Sequence, residues 1–130
     1  MFNSESYITY SVAKRHYVEN VDKALNRKAI EVFNGILAFL NFKSAEIRVY
    51  NLLLTTSLTI KKMEQRLNTS ERSMRKYIKR LEEEGLITKR VEQGTRLKYV
   101  YRSVPIQEAW NKVENKIEKM MGNITRVLRS

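Results

Sequence analysis

The segment TSERSMRKYIKRLEEEGLI, residues 69–87, constrains the fold of this chain more than any other segment. Its apolar residues recur at spacings of three, one and three, which predicts one narrow apolar face of an α-helix. They are Met74, Tyr77, Ile78 and Leu81. Ser70 is a suitable N-cap for this helix, and Gly85 is placed to end it with a positive φ. The apolar face is wide enough only to anchor the helix, so the other faces remain free.

These free faces are strongly basic. Because each residue turns the helix by about 100°, Arg72, Lys76 and Lys79 should point away from the apolar face. The expected flanking residues are Ser73, Arg75 and Arg80. Three glutamates, residues 82–84, follow at the C-terminal end, where negative charge opposes the helix dipole and is repelled by phosphates. We therefore expect the first two turns of this helix to contact an anionic partner and the last turn to lie away from it.

The charge of the whole chain agrees with an anionic partner. Its 130 residues include 25 Lys and Arg against 14 Asp and Glu, which gives a net charge of +11. Such an excess of positive charge suggests that the partner is nucleic acid or an anionic membrane surface. No apolar run approaches the roughly 20 residues of a membrane span, and the N-terminus lacks the pattern of a signal peptide. We expect double-stranded DNA as the partner, no membrane, and a cytoplasmic, nucleoid-associated location.

Residues suited to catalysis are scarce. The chain has no cysteine, which excludes disulfides and thiolate metal sites. The single histidine, His16, has no recognisable ligand spacing around it, and the four glycines form no phosphate-binding loop. Carboxylates are mostly interleaved with Lys and Arg, as on solvated helix faces. The sequence therefore predicts no enzyme, no metal and no cofactor.

The residues before the basic helix predict a helix-turn-helix. Apolar periodicity predicts helices over residues 21–40, 45–55 and 60–67, of which the first should present a wide core-facing surface. Ser44 and Thr59 are expected N-caps for the second and third. The connection from residue 67 to the basic helix is only about three residues long, as in a helix-turn-helix. Residues 1–20 are less clear: 7–12 alternate like a short strand, but a flexible arm is equally compatible.

The residues after Gly85 predict a β-hairpin. Residues 86–91 and 97–102 have strand character, and Gly94 lies in the turn between them. A hairpin directly after a helix-turn-helix is the winged-helix arrangement. The cations expected on or near this wing are Lys89, Arg90, Arg96 and Lys98.

A long helix is predicted from Pro105 to the C-terminus. Its apolar residues recur at steps of 4, 3, 4, 3, 4 and 3, an a/d heptad seam. They are Ile106, Trp110, Val113, Ile117, Met120, Ile124 and Val127. Two interpretations remain open and are compatible with each other: a coiled coil between two subunits, parallel or antiparallel, or packing on the 21–40 helix of the same chain.

Together these patterns predict a mainly α fold: a winged helix-turn-helix with a β-hairpin wing and a long C-terminal coiled-coil helix. The expected division is an N-terminal arm or short strand over 1–20, a winged-helix domain over 21–104 and a dimerisation helix over 105–130.

The stretch LNFKSAEIRVYNLLL…TIKKMEQRLNTSERSMRKYIKRLEEEGLITKR resembles the winged-helix domain of archaeal TrmB-type transcriptional regulators. The layout is also similar to that of small crenarchaeal regulators related to the leucine-responsive type, in which a long helix after the winged helix forms an antiparallel dimer. The resemblance implies that Arg72, Ser73, Arg75, Lys76 and Lys79 read the major groove and that Arg96 lies on the wing. Full-length TrmB proteins carry an additional sugar-sensing domain, for which we expect no room within these 130 residues.

Three functions follow as hypotheses. The first is a sequence-specific, homodimeric transcriptional regulator with helix 70–84 in the major groove and wing 89–98 on the backbone or minor groove. The predicted DNA-binding residues are Ser70, Arg72, Ser73, Arg75, Lys76, Lys79, Arg80, Lys89, Arg90, Arg96 and Lys98. The second is an architectural, chromatin-type protein that binds DNA without sequence preference. The third is a winged helix used for contact with another protein, against which the basic helix argues.

Overall fold

The computed structural model describes residues 4–94 and 96–130, with side chains at 14, 15, 20 and from 23 onward. It contains five helices and two strands in these residues. They are α1 (Ser4–Phe39), α2 (Ser44–Thr55), α3 (Ile60–Leu67), α4 (Glu71–Glu83), β1 (Ile87–Glu92), β2 (Lys98–Ser103) and α5 (Ile106–Arg129). The chain divides into two compact units, one ending at Ile36 and one spanning Leu37–Ser130. The predicted winged helix-turn-helix with a two-stranded wing and a long C-terminal helix is confirmed.

Residues 7–12 lie within α1, so the short strand that was one of two alternatives for them is wrong. Six alternating residues are too few to decide between strand and helix. Once a helix is nucleated, each added residue gains one hydrogen bond. The helix formed by the residues after position 12 is therefore favoured to extend back toward Ser4. The core-facing surface predicted for the 21–40 helix is wrong in part, since Leu25 and Val32 are exposed.

The end of α1 is defined by Asn41, which has a φ of 67°. The Phe42 N–H donates to the Leu37 carbonyl, and the Asn41 N–H donates to the Ala38 carbonyl, both at 3.0 Å. This pair of bonds is a Schellman motif, in which asparagine tolerates the left-handed conformation better than most residues. The motif turns the chain toward α2.

The helix caps agree with the sequence at two of three positions. Thr59 accepts a hydrogen bond from the Lys62 N–H, and Ser70 accepts one from the Ser73 N–H. Ser44 is not the N-cap of α2 as predicted, since it is the first helical residue. Instead, the Lys43 N–H donates to Oε1 of Glu46 at 2.6 Å. A carboxylate at the third position satisfies a free N–H there and interacts well with the helix dipole.

The core of the second unit lies where α2, α3 and α4 meet the base of the hairpin. Tyr50 is fully buried in it, and its hydroxyl donates to the Val104 carbonyl at 2.9 Å. The Ser103 hydroxyl donates to the Tyr50 carbonyl at 2.7 Å. Burial raises the pKa of the Tyr50 phenol, so it remains a donor. The large side chains packed in this core are Val49, Leu53, Leu58, Met63, Met74, Ile78, Leu81, Leu86, Ile87, Val100 and Tyr101.

The wing is an antiparallel pair whose register runs from Ile87 opposite Ser103 to Glu92 opposite Lys98. Each strand begins one residue later than predicted. A two-way bridge joins Leu58, in the loop before α3, to Tyr101, with N···O distances of 3.1 and 2.9 Å. The base of the wing is therefore attached to the helix-turn-helix.

Helix α5 contacts the C-terminal end of α4. Ala109 and Val113 are buried, and the Lys112 ammonium donates to the Gly85 carbonyl at 2.7 Å. The Lys116 Nζ lies 2.8 and 2.9 Å from the two carboxylate oxygens of Glu84. The first three turns of α5 thus belong to the packed unit, whereas the residues beyond Ile117 are exposed.

Candidate nucleic-acid interface

Helix α4 is oriented as its sequence predicts. Met74, Ile78 and Leu81 are buried, and Tyr77 is half-buried. Arg72, Lys76 and Lys79 are exposed; at about 100° per residue they fall within roughly 60° of one another on the outward face. Three cations therefore share one side of a helix whose opposite side is held in the core.

The glycine that ends α4 behaves as predicted. Gly85 has a φ of 73°, and its N–H donates to the Glu82 carbonyl. The Leu86 N–H donates to the Leu81 carbonyl at 2.9 Å, which completes a second Schellman motif. Leu81 and Leu86 are both buried, so the same turn that ends α4 starts the wing.

Arg75 lies on the flank of α4 that faces the wing. Its Nη2 is 2.9 Å from Oε1 of Glu71, one turn earlier, and both side chains are well exposed. Exposed pairs with this i, i+4 spacing stabilise a helix by only about 0.3–0.5 kcal/mol, so a phosphate could replace Glu71 as the partner of Arg75.

Arg80 lies on the other flank of α4, and its guanidinium makes intramolecular contacts. Its Nη1 is 2.8 Å from Oε1 of Glu46 and 2.8 Å from the Asn41 carbonyl oxygen. Its guanidinium carbon lies 4.0 Å from the centroid of the Phe42 ring. These contacts join α4 to α2 and to the turn that precedes it. Arg80 was predicted as a DNA-binding residue, but its guanidinium is directed to these intramolecular partners.

The wing contributes the second group of cations. Arg90, Arg96 and Lys98 are exposed. Lys89 lies with its Nζ 3.7 Å from a Glu82 oxygen and 4.6 Å from the centroid of the Tyr99 ring. Lys89 therefore ties the wing to α4 as well as adding charge.

The acidic end of α4 differs from the expectation of simple repulsion. Glu82 pairs with Lys89 on the wing, and Glu84 pairs with Lys116 on α5. Glu83 is exposed near the outward face. Two of the three glutamates thus hold neighbouring elements in place, and Glu83 carries the negative charge that marks the end of the basic face.

A cleft of about 460 Å³ lies between α3, α4 and the wing. Its cationic lining residues are Lys61, Lys62, Arg75 and Lys98. Burial and the nearby Glu82 carboxylate raise the pKa of Tyr101, which also lines it. Lys61 and Lys62 were missed by the sequence analysis. Their signal was available, since two lysines in the first turn of a helix oppose its dipole and need another reason to be there.

The predicted dimerisation seam divides into two halves. Val113 is buried in its own chain, and Ile106, Trp110 and Ile117 are half-buried. Met120, Ile124 and Val127 are exposed, together with the neighbouring Met121 and Leu128. The outer half of α5 therefore carries a continuous apolar surface.

The described residues contain neither a metal-binding cluster nor a membrane-spanning helix. Within the described residues, no three His, Asp or Glu side chains lie close enough together to hold a metal ion. Across those same parts of the chain, every helix is too short or too polar to cross a membrane.

A helix-turn-helix, a basic outward helix and a two-stranded wing together define a DNA-binding, winged-helix transcriptional regulator. The family model described as "Sugar-specific transcriptional regulator TrmB" matches residues 37–107, more than half of the chain. The chain belongs to the TrmB family, which confirms the predicted TrmB resemblance and places the protein among transcriptional regulators rather than enzymes.

Solved structures share the fold. A possible transcriptional regulator from Methanosarcina mazei is 14% identical, with a TM-score of 0.64 over 75% of this chain and 86% of that one. A point mutant of MepR from S. aureus, bound to an oligodeoxyribonucleotide, is 16% identical, with a TM-score of 0.50 over 86% of this chain and 96% of that one. No curated protein sequence matches the chain significantly.

Proposed function

We propose that this protein is a sequence-specific regulator that binds double-stranded DNA as a homodimer. The observation that carries the proposal is the outward face of α4, where Arg72, Lys76 and Lys79 are exposed while Met74 and Ile78 hold the helix in the core. The major groove of B-DNA admits an α-helix, and Arg is well suited to bind guanine edges. Membership of a regulator family and the likeness to a DNA-bound winged helix support this assignment.

The cations divide between base and backbone contacts. Arg72 lies in the first turn of α4, where recognition helices contact base edges, so we assign it to base reading. Lys76 and Lys79 carry point charges suited to phosphates. Ser70, Ser73 and Arg75 complete the groove-facing set, and the wing residues Lys89, Arg90, Arg96 and Lys98 contact the backbone or minor groove. We add Lys61 and Lys62 at the start of α3 and leave Arg80 out, because its guanidinium binds Glu46 and the Asn41 carbonyl.

The dimer forms through the helix over 105–130. Its outer apolar residues Met120, Ile124 and Val127 are the exposed end of the a/d seam that starts at Ile106, and a second copy of the same helix offers a matching a/d surface. A helix of 24 residues is about 36 Å long, enough to hold two winged-helix units on one duplex. Two-fold symmetry then requires a palindromic site with half-sites about 10–10.5 base pairs apart, or a multiple of that spacing.

A binding selection from random duplexes at about 150 mM salt tests this function. We expect enrichment of a palindrome, with its half-site spacing visible in the sequences. Binding without enrichment would favour the architectural alternative, which the net charge of +11 also allows. Failure to bind any duplex at low salt would favour the protein-contact alternative.

A charge reversal makes the test specific to α4. Lys76→Glu should strongly weaken binding to the selected duplex, whereas Lys119→Glu, an equal change at an exposed position of α5, should leave that binding nearly unchanged. Equal losses in the two variants would mean that net charge alone, rather than the α4 face, determines binding.

A further inference from the structure

The wing carries an apolar cluster at the end that is far from the core. Val91, Leu97 and Tyr99 are 51%, 73% and 41% exposed. Val91 lies opposite Tyr99 in the strand register, so these two share one face of the hairpin, and Leu97, just before β2, lines the same cleft as Tyr99. Exposed apolar side chains that are grouped and rimmed by charged residues are typical of an interaction site.

The surroundings of the cluster are cationic. Arg96 and Lys98 flank Leu97 in the sequence and are exposed. Leu97 and Tyr99 also line the 460 Å³ cleft that Lys62 and Lys98 line. An apolar side chain surrounded by cations indicates a partner that is polyanionic outside and apolar within. The edges and faces of DNA bases, reached between two phosphate backbones, have this character.

The wing projects from a base that is fastened to the helix-turn-helix. Strands of six residues extend about 20 Å from the base of the hairpin. The base is fastened by the Leu58–Tyr101 bridge, and Lys89 joins the wing to Glu82 of α4. A side chain at the tip of such a hairpin can press against DNA while α4 occupies the neighbouring major groove.

We propose that Leu97 is a wedge that enters the minor groove beside each half-site, partly unstacks one base step and bends the duplex toward the major groove. This inference rests on the proposed DNA binding and adds DNA bending to it. Arg96 and Lys98 bind the phosphates on either side of the wedge. Apolar wedges of this kind act at base steps that unstack easily, so the site should favour TA or CA/TG steps at the wing position over a stiff A-tract.

The test uses the full chain and a duplex from the selection, labelled at both ends for energy transfer and carrying 2-aminopurine at successive flanking positions. With the unchanged protein, we expect a shortened end-to-end distance and an increase of about threefold or more in 2-aminopurine fluorescence at one step per half-site, as unstacking requires. Replacing that step by an A-tract should weaken binding about tenfold or more.

Leu97→Ala is the decisive variant, and Val91→Ala is its matched control in the same cluster. Leu97→Ala should remove the bend, the fluorescence change and the step preference, while binding to the central half-site bases persists. Val91→Ala should keep all three. Because both side chains are largely exposed, both variants should fold, which circular dichroism checks.

The outcomes separate the two proposals. Tight binding of a straight duplex by the unchanged protein, or an unchanged bend in Leu97→Ala, overturns the wedge and leaves DNA binding in place. Equal losses in Leu97→Ala and Val91→Ala overturn the assignment to Leu97. Absence of binding to every duplex overturns both proposals.

Discussion

Nη1 of Arg80 lies 2.8 Å from Oε1 of Glu46, a carboxylate whose side chain is only 4% exposed. The same oxygen accepts the Lys43 N–H at the start of α2. One carboxylate therefore caps α2 and holds α4 through Arg80, which also covers the Phe42 ring. This contact adds a polar link between α2 and α4 to the apolar packing of Met74, Ile78 and Leu81.

Replacing Arg80 by methionine should destabilise the protein. It leaves the buried Glu46 carboxylate without its cation, but Arg80 is itself about 30% exposed, so solvent reduces the loss to about 2 kcal/mol. Urea unfolding measures this loss in the free energy of unfolding. Lys79→Met, at the preceding position and exposed, is the control and should change stability by less than about 0.5 kcal/mol. A stable Arg80→Met protein that had lost DNA binding would return Arg80 to the DNA-binding set.

Arg72→Ala and Lys76→Ala should affect DNA binding in different ways. Arg72→Ala should relax the preference at one base position, with a loss of about 1–3 kcal/mol on the preferred site, because a bidentate base contact is removed. Lys76→Ala should weaken all sequences alike and reduce the salt slope by about one. Competition binding across single-base variants at several salt concentrations separates the two. A uniform loss in both variants would contradict base reading by Arg72.

Gly85→Ala should destabilise the junction between α4 and the wing. Gly85 has a positive φ of 73°, and an added Cβ would lie 3.0 Å from the Lys112 Nζ, whose bond to the Gly85 carbonyl it would disturb. We expect a loss of about 1–2 kcal/mol in the free energy of unfolding, from the left-handed backbone conformation alone. Gly94→Ala is the control, since an added Cβ there meets no atom within 4 Å. Equal effects at the two glycines would rule out this explanation.

Ile124→Glu should separate the subunits without unfolding them. Position 124 is exposed in the single chain, but a dimer seam would bury the new carboxylate twice. We expect the dimer dissociation constant to rise about 100-fold, equivalent to about 2.7 kcal/mol. Sedimentation equilibrium measures it. Asn115→Glu, on the exposed side of α5, should leave association unchanged. If the Ile124→Glu protein remained dimeric, the interface would have to lie elsewhere.

The parts of the fold that the sequence predicted well depend on local signals. The spacing of apolar residues in α4, the cap at Ser70, the positive φ at Gly85 and the start of α5 after Pro105 are all determined within a few residues. Such features follow from the period of the helix and from the conformational range of single residues.

The features that the sequence missed depend on distant contacts or on weak patterns. Nothing near Arg80 indicates that its partner is Glu46, 34 residues earlier. Glu84 and Lys116 are 32 residues apart, and no local pattern indicates that they pair. Residues 7–12 were misjudged because an alternation over six residues is compatible with either period. The candidate cations were therefore chosen by residue type, but the fold was required to show which are exposed and which, like Arg80, bind within the chain.

The two halves of α5 have different environments. The inner turns, around Ala109 and Val113, complete the core of one chain, whereas the outer turns are exposed in it and would contact the second copy in the proposed dimer. In such a dimer, the fraction of paired chains depends on how many copies are present. At low abundance the occupied fraction of a two-half-site operator would rise with about the square of the protein concentration, by mass action. Modest changes in synthesis or turnover would then act as a threshold on the regulated genes.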